Sequence, residues 1–345
     1  MSAADAIERL VGLQAQIPAD PYVALWSRLD DFRTDDLATL ITDRKAVRMG
    51  LMRATIPLVT ARDALALRPV LQPALERTFA TSSPFGRQLV GVDMERLLTI
   101  GRALVEERPR TSAELRPILA KRWPKRDRDS LVMAMSYLLP LVQVPPRGVW
   151  GASAQPRRTT LEAWLGRPLG KDRAPDAMIL RYLAAFGPAT TGDARTWSGL
   201  GGLSEVFERL RPRLETYRDE RGRELFDVPD GPLPDPETPA PPRFLPVYDN
   251  LVLSHDDRAR VVRALHPKRL GYMAGVNFGS VLIDGFVGGT WTVKRNATTA
   301  TLRVAFIDKV SKRERVAVTD EGVRLLTFVA AEAKSREVTL AESCE

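Results

Sequence analysis

Residues 229–246 read PDGPLPDPETPAPPRFLP, and no helix can run through so dense a set of prolines. Each proline lacks the amide hydrogen that a helix or an inner strand must donate. The stretch therefore reads as an extended spacer that divides the chain. Downstream of it, VYDNLVLSHDDRARVV is strand-like and then helical. GSVLIDGFVGGTWTVKRNATTATLRVAFIDKV gives three strands, broken at Asp284-Gly285 and Asn296-Ala297. Residues 315–334 close the fold with a helix expected from Asp320.

Upstream, the pattern is helical with short hairpins. Residues 3–11 carry apolar positions at helical spacing, and LVGLQAQIP follows as a short strand. A helix over 21–29 is opened by Pro18, Asp20 and Pro21. Thr34 is the expected N-cap of TDDLATLITDR, with Leu37, Leu40 and Ile41 on one face. AVRMGLMRATIPLVT then gives two strands around Gly50. Helix, short strand, helix, helix, strand, strand is the order of a winged helix, a helix-turn-helix with a β-hairpin appended.

The order recurs. RTSAELRPILAKRWP starts on Ser-x-x-Leu rather than a full capping box, RDRDSLVMAMSYLLP is the next helix, and LVQVPPRGVWGAS the wing. APDAMILRYLAAFGP opens a third copy, followed by TTGDARTWSGL, GLSEVFERLRPRL and the strands LETYRDE and RELFDVP around Gly222. The expected class is α+β: tandem winged-helix domains with a small β-rich C-terminal module. The expected boundaries are 1–90 and 91–170 for the first two winged helices, 171–228 for the third, 229–246 for the linker and 247–345 for the module.

Charge narrows the partners. The chain has 345 residues and a formal net charge of +8, and 42 of its 51 basic residues are arginines. Arginine grips phosphate bidentately, so nucleic acid fits, although a GC-rich genome yields the same bias. A lone Cys344 and two histidines, His255 and His266, exclude an internal disulfide and cysteine- or histidine-rich metal sites. MSAADAIERL carries Asp5 and Glu8 where a signal peptide needs an apolar run, and LVMAMSYLLPLVQV is too short to span a bilayer. The location expected is the cytoplasm, with no membrane partner and no cofactor.

Within LVGLQAQIP, side chains of an extended segment alternate. Gln14 and Gln16 then share one face, and Leu13, Ala15 and Ile17 point into a core. The bland reading of the pair is a solvated polar face on an edge strand. The sharper reading is a pair of carboxamides placed for chemistry.

Eight stretches in order resemble one family: GLQAQ, ALWSRL, VRMGLMRATIPLV, VPPRGVWG, EAWLG, RYLAAFGPATTGDARTWSGL, RFLPVYDNLVLSHDDR and DGFVGGTW. Together they are similar to the bacterial winged-helix DNA glycosylases, AlkZ-like and related to YcaQ (AlkX). The resemblance implies tandem winged helices with a β-rich C-terminal part, forming a basic DNA-binding face. It implies excision of bulky alkylpurines, interstrand crosslinks included. It also implies that Gln14 and Gln16 are the catalytic pair, in the glutamine-apolar-glutamine form. Two departures stand out. Relatives carry about one more helix before the QAQ strand, so either the start is truncated or the first winged helix is trimmed, and the platform under the glutamines is expected to be less rigid. Pro57 stands where many relatives have a histidine, an exchange expected to alter activity or substrate range.

Carboxamides do not titrate near neutrality, so they supply neither a strong base nor an acid. They can orient water and set a dipole against the positive charge of an oxocarbenium-like sugar. That help suffices only for a good leaving group. N7- or N3-alkylation makes a purine cationic, so it departs neutral. The pair should therefore restrict the chain to cationic alkylpurines and spare uracil and hypoxanthine.

Other residues carry two readings. Arg53 reaches phosphate from the first wing, or is a surface arginine. Trp26 stacks on a base, or belongs to a core with Tyr22 and Leu29. His255, Asp257 and Arg258 of SHDDR border the DNA, or the segment caps the element that follows. Lys294 and Arg295 meet phosphate at the end of a strand. Asp pairs at 30–31, 35–36 and 256–257 suit a two-metal nuclease, but each sits where a turn or helix start favours Asp anyway. No metal is expected. The function expected is a monofunctional glycosylase acting as a monomer on double-stranded DNA with alkylated purines. The alternative is a non-catalytic winged-helix regulator or DNA clamp, and a carboxylate-metal nuclease ranks last.

Overall fold

A computed structural model describes residues 1–263, 278–296, 298–307 and 309–341. His266, Ala297 and Cys344 lie outside that set. The first elements are α1 (Ala3–Arg9), β1 (Leu13–Gln14), α2 (Asp20–Trp26), α3 (Thr34–Thr42), β2 (Ala46–Met49) and β3 (Pro57–Thr60). This is the order read from the sequence, although α3 begins at Thr34 with Arg33 as its cap. A long helix α4 (Ala61–Arg77) and a short α5 (Pro84–Arg87) follow. Pro69 inside α4 cannot donate to the Leu65 carbonyl, and the Gly170 amide takes that acceptor at 2.9 Å.

The second set is α6 (Met94–Glu107), α7 (Ser112–Arg122), α8 (Arg128–Leu138), β4 (Leu141–Gln143) and β5 (Arg158–Thr160), then α9 (Leu161–Leu165). Here the sequence reading needs correcting. Thr111 caps α7 and Glu114 returns the bond, so the capping box is complete one residue earlier than Ser112 suggested. The third set is α10 (Asp176–Phe186), α11 (Thr191–Ser198), α12 (Leu203–Leu210), β6 (Glu215–Arg218) and β7 (Glu224–Asp227), with Thr190 and Asp193 forming a second capping box on α11.

The chain divides into two compact units. One compact unit comprises Met1–Ala19, Asp31–Pro232 and Ser254–Asp256; another comprises Asp20–Asp30, Leu233–Leu253 and Asp257–Glu345. In the first unit the two wings fuse into one antiparallel sheet of order β1-β3-β2-β4-β5, because β2 pairs with β4. The first and third helix sets also share one core, in which Val47, Val59, Leu71 and Val142 join Tyr182, Trp197 and Phe207. The second set keeps its own core around Leu97, Leu115, Leu131 and Met135. Pairing between distant strands and a shared core leave no local mark in a sequence.

In the second unit, β8 (Arg243–Leu245), α13 (Asn250–Leu253), β9 (Gly279–Ile283), β10 (Phe286–Arg295), β11 (Thr299–Phe306), α14 (Lys312–Val329) and β12 (Ser335–Ala341) follow in order. The three expected strands are β9, β10 and β11. The sheet order is β12-β11-β10-β9-β8. Three readings are corrected. The spacer ends in an edge strand, β8, where flanking Pro242 and Pro246 leave the ladder intact. VYDNLVLSHDDRARVV forms a helical turn, α13, and a 3₁₀ turn at Arg258–Arg260 rather than strand then helix. The last helix starts at Lys312, capped by Ser311 with Glu314, and a parallel strand, β12, follows it.

Helix α2 belongs to this unit. Trp26 is half-buried and stacks on Phe328 with ring centroids 5.8 Å apart, rather than lying in a core with Leu29, which is also half-buried. Arg28 grips Asp249 through two bonds of 2.9 and 2.6 Å. Asp20 is 7% exposed, and its Oδ2 meets no partner among the described residues. Burial, and then the Asp249 charge, push its carboxyl from 3.8 up to about 7. The folded state therefore binds more protons than the unfolded chain between those values. Stability is full below about pH 4 and falls as pH rises towards 7. Asp20→Asn is expected to flatten that decline and raise Tm at pH 8 by several degrees. Thermal scans across pH 5–8 check this, and a wild-type slope retained in the variant would refute it.

Candidate active site

The LVGLQAQIP strand is set by a glycine. Gly12 has φ +101°, and a Cβ there would lie 2.7 Å from Val59 Cγ1, so the turn from α1 into β1 admits little else. Leu13 pairs with Leu58 and Gln14 with Pro57, and the Ala15 amide donates to the Ile56 carbonyl at 2.9 Å. Alternation follows in part. Leu13 and Ala15 are buried, and Gln16 is exposed. Gln14, however, is only 7% exposed, so it is no solvated edge residue.

What covers Gln14 is the β2–β3 loop. Arg53 and Ala54 both have positive φ, 55° and 57°, the backbone of a primed hairpin turn usually made by Asn-Gly. Holding two such residues left-handed costs about 1–2 kcal/mol each. The turn presents Thr55 to Gln14. The Thr55 hydroxyl donates to the Met52 carbonyl at 2.9 Å and accepts from Gln14 Nε2 at 3.0 Å. With its single proton spent on Met52, Thr55 can only accept from Gln14. This fixes the Gln14 amide, and its Oε1 is left without a hydrogen-bond partner among the described residues.

Beneath the motif lies a cation that sequence reading missed. Arg48 in β2 is 2% exposed and donates to the Ala15 carbonyl at 2.6 Å and to Gln143 Oε1 at 2.9 Å. Gly148 in VPPRGVWG leaves it room, for a Cβ there would fall 2.7 Å from Arg48 Cδ. Arg48 thus buttresses the backbone between the two glutamines. A single charged letter inside AVRM was the available signal.

Gln16 opens onto a cavity of about 280 Å³, with Thr55, Ser136, Tyr137, Gln143 and Arg158 among its walls. Gln14 lies behind Thr55 rather than on this wall. Arg158 donates to Ser112 Oγ at 2.8 Å, and burial lowers its pKa. The structure brings together Gln16, Gln143 and Arg158, with Gln14 one residue deeper.

The other singled-out residues fall elsewhere. Arg53 is not a free surface arginine: it bonds the Trp197 carbonyl at the end of α11, and burial pushes its pKa down to about 10. His255 is buried and its Nε2 lies 2.9 Å from the Phe186 carbonyl, while Tyr182 bonds the Ser254 carbonyl and Asp193 takes the Asp256 amide. Asp257 accepts from the Ala259 amide and caps the 3₁₀ turn, the local role. Arg258 is half-buried, and Lys294 and Arg295 are exposed at the end of β10. Among the described residues no cluster of three potential metal ligands occurs, and no helix is long and apolar enough to cross a membrane.

The family model described as DNA glycosylase AlkZ-like matches residues 7–328. Among solved structures, the Streptomyces sahachiroi DNA glycosylase AlkZ aligns over 99% of this chain and 94% of its own, with a TM-score of 0.71 and 20% identity, a likeness of fold. No curated protein matches.

Proposed function

Because this chain belongs to the AlkZ-like DNA glycosylase family, we propose that it hydrolyses the N-glycosidic bond of cationic N7- or N3-alkylated purines in double-stranded DNA. Bulky adducts and interstrand crosslinks fall within that class. One observation carries the reading: among the described residues, the cavity at Gln16 has amide, hydroxyl and guanidinium groups on its walls, and no carboxyl, imidazole or amine. Without an acid on the wall, a neutral base that must be protonated to leave has no help. A cationic purine needs none. Water attacks C1′, the C1′–N bond breaks, and its electron pair neutralises the departing purine. The water proton passes to solvent.

The amides act by position. The Gln16 carbonyl orients the attacking water and faces the sugar as positive charge grows on it. Gln14 Oε1, turned away from Thr55, supplies a second acceptor once substrate opens the loop edge. Arg48 holds the backbone between them. Among the described residues no lysine stands on the wall to form a Schiff base, which supports an abasic site in an intact strand as the product, the monofunctional outcome. Lys294, Arg295 and Arg258 take backbone phosphates. Arg53, His255 and Asp257 keep their own segments in shape. The protein acts as a monomer, and its affinity for duplex falls steeply with salt.

A duplex carrying a single N7-methylguanine tests this. Release is expected, scored as alkali-labile strand breaks, with no cleavage before alkali and a rate nearly flat over pH 6–8. Matched duplexes with uracil or hypoxanthine should yield none. Release of either neutral base at a comparable rate refutes the reading.

A further inference from the structure

Gln143 is a second carboxamide on the cavity that Gln16 opens onto, and the family resemblance gives it no role. In the sheet it stands directly opposite Arg48, since β2 and β4 pair with Arg48 beside Gln143. A guanidinium only donates. The 2.9 Å bond from Arg48 therefore must end on Gln143 Oε1, which settles which way the amide faces. Its Nε2 is turned from Arg48, and no described residue accepts from it. Gln143 is 8% exposed and lines the cavity that Gln16 opens onto. The residue is buried and its Oε1 is tied to Arg48, so the amide is held in place before any ligand arrives, and a fixed donor is worth more than a mobile one.

We infer that Gln143 Nε2 donates a hydrogen bond to the damaged nucleotide in the cavity, with Arg48 as its positioning residue. This rests on the glycosylase reading above. The chemistry complements the catalytic pair. Gln14 and Gln16 offer acceptors to water and to a sugar gaining positive charge. Gln143 offers a donor, which suits an acceptor atom of the purine as it receives the electron pair of the breaking bond. The same Arg48 holds the Ala15 carbonyl at 2.6 Å, so one buried cation fixes the geometry of both groups.

Gln143→Glu separates this role from a structural one. A carboxylate keeps the Arg48 bond, and a folded protein with wild-type Tm is expected, but it has no donor. Single-turnover release of N7-methylguanine at saturating enzyme should fall at least tenfold, with duplex Kd within about threefold of wild type. Gln143→Leu, which adds no charge, should lose rate similarly. The second readout does not need turnover. In ¹⁵N-labelled full-length protein, the Gln143 side-chain amide signal, assigned by its loss in Gln143→Glu, should shift with lesion duplex and not with the undamaged duplex. If wild type releases the base and both variants match it within twofold, the Gln143 role is overturned and the glycosylase reading stands. If wild type releases no base, the glycosylase reading falls, and the amide signal alone decides: no lesion-dependent shift overturns the contact.

Discussion

Gln16→Ala is expected to slow release of N7-methylguanine by about 10²–10³-fold, the scale seen when one preorganised polar group is removed from a charge-developing transition state. The residue is exposed on its cavity wall, so the substitution leaves no buried hole and Tm should stay within a degree or two. Duplex affinity should also hold, because phosphate contacts dominate it. Gln14→Ala should lose a similar factor for a different reason. Its amide is buried against Thr55, so rate and stability fall together, the latter by about 1–2 kcal/mol. Single-turnover rates with Kd by anisotropy and Tm by calorimetry separate the two. Release within threefold of wild type in both variants would remove the pair from catalysis.

That contrast shows what the sequence could and could not disclose. Alternation along LVGLQAQIP placed Leu13 and Ala15 in the core and exposed Gln16. It put Gln14 on the same open face, and there it failed. Strand period says which way a side chain points and nothing about what later arrives to cover it. The cover is Thr55, brought over by a turn whose two left-handed residues, Arg53 and Ala54, carry none of the usual Asn-Gly signal. Arg48 and Gln143 are a similar case. Each is an ordinary letter in a short apolar run, and only the pairing of β2 with β4 sets one against the other across 95 positions of chain.

Elements with local causes were legible. Helix α11 follows from Thr190 and Asp193, and the hairpin of β6 and β7 from Gly222. Elements that depend on tertiary partners were not. Strand β12 has a polar, half-exposed pattern, and it exists because β11 offers a free parallel edge. Helix α2 reads as part of the first winged helix, yet Trp26 and Arg28 bind it to Phe328 and Asp249 in the other unit. Element order alone does not show that grouping.

Arg68→Met is expected to destabilise the first unit by about 3–5 kcal/mol. Arg68 sits in α4 with 1% of its surface exposed, and its guanidinium donates to the carbonyls of Gly50, Tyr137 and Leu139 at 3.2, 2.9 and 3.0 Å. Burial pushes its pKa down to about 10 while the Glu162 and Glu76 charges pull it back, so it remains a cation at neutral pH. Methionine fills much of the volume but donates nothing. The Gly50 and Tyr137 carbonyls then lose their partner, each at about 1–3 kcal/mol before relaxation, while the Leu139 carbonyl keeps the Leu141 amide at 2.9 Å. Arg68→Lys keeps the charge yet presents a point rather than a fork, so it should recover less than half of the loss. Urea unfolding followed by far-UV circular dichroism measures this, and a loss below 1 kcal/mol for Arg68→Met would contradict it. Gly50 and Tyr137 also stand on the cavity wall, so the damage reaches function. At a temperature where Arg68→Met is still folded, release per folded molecule should fall while duplex affinity persists. One buried cation holds the end of α8 to the β2–β3 loop, and that loop carries Thr55 to Gln14.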